Sequence, residues 1–87
     1  MRALLHFSTN TWSSHNTKLQ NKYFIELDCI PRVAEWVQIS QIISDQDLDF
    51  LKEKSECWSG DTAYVQMINL KKDENGFYYW IWIECED

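Results

Sequence analysis

Asp45, Asp47 and Asp49 alternate with other residues, and Glu53 and Glu56 follow. These acids stand at positions 1, 3, 5, 9 and 12 of an EF-hand loop, where oxygen ligands for calcium belong. Such a loop needs glycine at its sixth position for a sharp turn, and Phe50 stands there. Asp45, Asp47 and Asp49 equally suit the first turn of a helix, where the backbone dipole favours negative charge. A helix is therefore expected, with no metal and no other cofactor. Cys29, Cys57 and Cys85 are odd in number and form no C-x-x-C pair. Neither a zinc knuckle nor a complete disulfide framework is supported. Glu56 beside Cys57 disfavours the thiolate that nucleophilic attack needs. Cys29 and Cys85 fall in strand patterns and read as small core residues. No Walker loop, G-x-S-x-G or H-E-x-x-H occurs. The expectation is a protein that is not an enzyme.

Two constellations suit binding. Tyr78, Trp80 and Trp82 alternate along one strand pattern, so their rings share a side. With Trp36 as a further ring, they form either a stacking platform, the second half of the core, or a face covered by a second copy of the chain. The second constellation is the polar 9–22 loop. It offers hydroxyl and amide donors, the cations Lys18 and Lys22, His15, and the ring of Trp12. With Arg32 just beyond the next strand, these groups suit a phosphorylated or nucleotide ligand.

Charge separates the chain into two parts. Residues 1–22 carry Arg2, Lys18 and Lys22 and no acid. The other five bases and all fourteen acids lie in 23–87, which leaves that part at −9 within a chain of −6. Such an acidic body repels phosphates and argues against direct nucleic-acid binding. It suits an acidic, phage-type inhibitor or DNA mimic that grips a basic host protein. Aromatic residues make up 15% of the chain, with five Trp. Rings of this kind let a small core reach adequate burial and are also favoured at interfaces. The leading expectation is a small binding protein that self-associates as a homo-oligomer. Its partner is a protein or a small ligand. No apolar run nears the roughly 18 residues of a spanning helix, so no membrane role is expected. The few cysteines and the lack of a signal-peptide core suit the cytoplasm.

The elements that must position these groups follow from periodicity. Eighty-seven residues are expected to make one domain, 1–87. Strands are expected at 4–8, 23–30, 33–43, 63–70 and 77–85, and a helix at 44–55 opened by Ser44 with Asp47 as a capping box. Asn75-Gly76 marks a hairpin between the last two strands. One hairpin face is expected to hold Tyr64, Ile68, Leu70, Phe77, Tyr79, Ile81 and Ile83. The other should hold Val65, Met67, Tyr78, Trp80 and Trp82. Both are apolar, so cover on both sides is expected. The sum is a mainly β fold with one short helix, a β-rich α+β class. It should take the form of a small, strongly bent antiparallel sheet or an SH3-like barrel of about five strands. The segment Pro31-Arg32-Val33-Ala34-Glu35-Trp36-Val37 resembles a P-R-V-G-E-φ-V segment of small barrel-like proteins from bacteria and phages. That resemblance implies a strand–turn–strand here, with Ala34 standing where the segment has glycine.

Overall fold

A computed structural model describes residues 1–9, 12, 13, 19, 21–55, 58 and 60–85, and only the backbone of Trp12 and Ser13. In chain order the elements are β1 (Arg2–Thr9), β2 (Trp12–Ser13), β3 (Tyr23–Glu26), β4 (Trp36–Gln38), a 3-10 turn (Ile39–Gln41), α1 (Asp45–Lys54), β5 (Thr62–Asp73) and β6 (Gly76–Glu84). The strands lie in the order β2-β1-β6-β5-β4, and β3 pairs with β1. The result is a β-rich α+β fold built on a strongly curled half-barrel sheet, of the SH3-like kind expected. All strand pairs are antiparallel except β1 with β6, which run parallel with Leu5 opposite Ile81 and Phe7 opposite Ile83. Among the described residues no helix is long and apolar enough to cross a membrane.

The concave side of the sheet holds the core. Ala3, Leu5 and Phe7 of β1 meet Ile81 and Ile83 of β6 and Ala63 and Val65 of β5 there. Leu51 of α1, Ile39, Ile43, Leu19 and Trp58 close over them. Trp58 is buried, and its indole N–H donates to the Thr62 carbonyl at 2.6 Å. Ser44 caps α1 as expected, its hydroxyl accepting the Asp47 N–H at 3.3 Å. Leu48, Leu51 and Phe50 supply the core-facing stripe.

Four expectations need correction. The strand expected at 23–30 stops at Glu26, and Cys29 beyond it is exposed rather than a core residue; Cys85 is buried. The strand expected at 33–43 shrinks to Trp36–Gln38, and a 3-10 turn follows. Ile39 and Ile43 are both buried while Gln41 is exposed, and an extended chain would put all three on one face. The turn resolves this, with the Ile43 N–H donating to the Ile39 carbonyl at 3.0 Å.

The third correction concerns hairpin faces. A bulge lies between Val65 and Met67, so Val65 stands opposite Ile83 and Met67 opposite Trp82. One extra residue reverses the alternation before it. Val65 therefore faces the core, and Tyr64 moves to the convex side. The fourth concerns cover. The concave side is filled near Val65 and Ile83, but Leu70 and Phe77 near the hairpin tip are 59% and 62% exposed. The tip outruns the core.

The hairpin turn itself forms where expected. Asp73 pairs with Gly76, and Gly76 alone in the turn takes a positive φ, +114°. Asp73 accepts the Asn75 N–H at 2.8 Å, fixing the turn before it.

Candidate functional site: an aromatic convex face

The register that sends Leu5 and Ile81 inward sends their neighbours outward. Leu4 pairs with Trp80 and with Phe24, and His6 pairs with Trp82. Across β5, Trp82 meets Met67 and Trp80 meets Asn69. Tyr64, turned outward by the bulge, meets Trp36 of β4. A band of side chains thus crosses the whole sheet from β3 to β4. None of these rings belongs to the core cluster.

Three of the ring pairs pack edge to face, and the His6–Trp80 and Phe24–Tyr78 pairs are tilted. Trp80 and Trp82 centroids lie 5.9 Å apart at 76°, and His6 sits 5.0 Å from Trp80 and 5.3 Å from Trp82. Trp36 and Tyr64 lie 5.5 Å apart at 64°. Phe24 and Tyr78 lie 5.1 Å apart. Such geometry is favoured by the ring quadrupoles. Cations lie over the faces at one end of the band. The Arg2 guanidinium is 5.1 Å from the Phe24 ring and 5.8 Å from Tyr78, and Lys71 Nζ is 5.0 Å from Trp80. Arg2 is held in turn by Asp73 at 3.0 Å and by the Gly76 carbonyl at 3.1 Å. The Arg2 bond holds the Asp73 carboxyl below its usual range.

A buried polar chain pins the other end. The Trp82 indole N–H donates to Ser8 Oγ, and Ser8 Oγ donates to Glu84 Oε2 at 2.5 Å. Ser8 and Glu84 are both buried. The hydroxyl is thereby used in both directions, as a peg for the indole.

The structure brings Tyr78, Trp80 and Trp82 together as expected, and adds Trp36 to their face. The polar loop is different. His15 and Lys18 lie outside the described residues, as does Cys57, and of Trp12 the backbone alone is described, opposite Thr9. Lys22 is committed elsewhere: its Nζ lies 2.6 Å from Asp47 Oδ2. Arg32 is exposed in the turn before β4, where its N–H donates to Glu35 Oε2 at 2.8 Å. Sequence reasoning missed Phe24, His6 and Tyr64, and it placed Met67 on the correct face without naming it as a site residue. His6 and Phe24 alternate correctly in their strands, and only the pairing of β1 with β3 and β6 shows that they join the ladder. Comparison of the chain with models of known protein families, with curated proteins and with solved structures finds no match.

Proposed function

We propose that this protein is a non-catalytic binding module that works through its convex aromatic face, and that it self-associates there. The carrying observation is that the rings from Phe24 to Trp36 lie outside the core cluster. Trp36 is 53% exposed, Met67 41% and Phe24 41%. Contiguous apolar surface of this kind, rimmed by polar groups, marks an interaction site. A two-fold contact is self-complementary, so one patch can serve both copies. Arg2 at one end of the face is paired with Asp73, which limits repulsion between copies there. The reading as a DNA mimic draws less support, because Asp47, one of the regularly spaced acids, is buried against Lys22. The same contact weakens the reading as a nucleotide-binding loop.

Analytical ultracentrifugation across a wide concentration range tests this. A concentration-dependent dimer is expected, and Trp36→Ser with Met67→Glu should leave a folded monomer. A wild-type chain that sediments as a monomer throughout, or a double variant that associates as well as wild type, overturns it.

A further inference from the structure

The geometry points to a second site, on the concave side, for a small apolar cation. β3 and β4 stand at opposite ends of the curled sheet and do not pair, so the half-barrel has a seam. The seam opens into a cavity of about 220 Å³ between Ile25 and Leu27 on one side and Val37, Ile39 and Ile42 on the other. At about 30 Å³ per water-sized group, it holds roughly seven such groups, so an eight-carbon chain fits with its head-bearing carbon at the mouth. Its floor is Ile81 and Ile83 of β6. A cavity so apolar is poorly wetted and favours a hydrocarbon occupant.

One charged side chain lines it. Glu35 stands at the rim, with Oε2 accepting the Arg32 N–H at 2.8 Å. That bond holds one carboxylate oxygen, and the charge of Glu35 stands at the rim. The part of the chain that surrounds it, 23–87, is net acidic. An apolar body inside and an ammonium group beside Glu35 therefore match both the lining and the local field. Arg32 lines only the shallower groove that continues outward past Cys29. Glu35 lines that groove as well, so an anionic head placed near Arg32 would also meet a carboxylate. The site is separate from the aromatic face and does not depend on self-association.

Methyl-resolved NMR titration with n-octylamine, n-octanol and octanoate tests this. The three probes share a chain and differ in head charge. Octylamine should shift the methyls of Ile25, Ile39 and Ile42 saturably, and bind about tenfold more tightly than octanol, with octanoate weakest. Glu35→Gln should bring octylamine down to the octanol value. Ile42→Trp, at a partly exposed lining position, should block all three, while Trp36→Ser with Met67→Glu should change none. Octanoate binding as tightly as octylamine overturns the assignment of charge. Absence of saturable shifts with every probe, or shifts confined to the rings of the convex face, overturns the site.

Discussion

Lys22 Nζ lies 2.6 Å from Asp47 Oδ2, which ties the end of the polar loop to the first turn of α1. Asp47 is 1% exposed. Tyr23 donates its hydroxyl to the same oxygen at 2.5 Å and accepts the Ser44 N–H at 3.1 Å. The cap of the helix, the start of β3 and the loop thus share one carboxylate.

A pH dependence follows. Burial by itself raises the pKa of Asp47, but the hydrogen bonds from Lys22, Tyr23 and Ser44 outweigh it and hold the carboxyl below its usual value. A carboxyl with a depressed folded pKa adds stability above the unfolded value of about 3.9, and loses it as pH falls through the folded value. Urea unfolding should therefore show stability falling steeply on the acid side of about pH 4. Asp47→Asn should cost about 2–3 kcal/mol at neutral pH and flatten that slope. An unchanged slope in Asp47→Asn would show that other carboxyls carry the acid response.

Ala34 sits at φ +73°, in the left-handed region that costs an L-residue about 1–2 kcal/mol. Its N–H donates to the Val65 carbonyl at 2.7 Å, and the Val65 N–H donates to the Glu35 carbonyl at 2.9 Å. These bonds hold the turn in place beside the bulge. Glycine would adopt this φ without the strain that Ala34 carries. Ala34→Gly should stabilise the fold by about 0.5–1 kcal/mol, the strain relieved less the added chain entropy of glycine. That gain corresponds to a Tm higher by about 2–6 °C in thermal unfolding. A lower Tm would mean that the turn relaxes in solution.

The parts of this fold legible in the sequence are those set by local chemistry. Ser44 before a run of acids marks the helix start, and Asn75-Gly76 marks the hairpin, because caps and turns involve only near neighbours. Long-range pairing is not encoded that way. Nothing in the alternation of Ala3, Leu5 and Phe7 says that β1 lies parallel to β6. The bulge after Val65 is also silent, since Tyr64 and Val65 suit either face as residue types. The candidate site was half legible for the same reason. Tyr78, Trp80 and Trp82 share one strand, whereas His6, Phe24, Tyr64 and Trp36 join them only across strands.

Gly76 has φ +114°, and a Cβ added there meets nothing within 4 Å. Any cost of a substitution at this position is therefore backbone strain, free of steric clash. Gly76→Ala should destabilise by about 1–2 kcal/mol in chemical unfolding, with the m-value unchanged. A loss well beyond that would mean the hairpin register slips, and the Asp73–Arg2 bond at 3.0 Å would be broken with it.

Ser8 joins Trp82 to Glu84, and its removal should be felt by both. Ser8→Ala leaves the indole N–H and a buried carboxylate oxygen without this partner, at a cost of about 2–3 kcal/mol. Trp82→Phe removes the donor but leaves the Ser8–Glu84 bond. A double-mutant cycle should therefore give a coupling of about 1 kcal/mol between Ser8 and Trp82, because the serine matters less once the indole is gone. The Ser8→Ala chain should also dimerise more weakly at equal folded fraction, since an unpinned Trp82 presents a less ordered face. Coupling near zero with full dimerisation would leave the rings held by their mutual packing alone, with His6 and Trp80 setting the indole's angle.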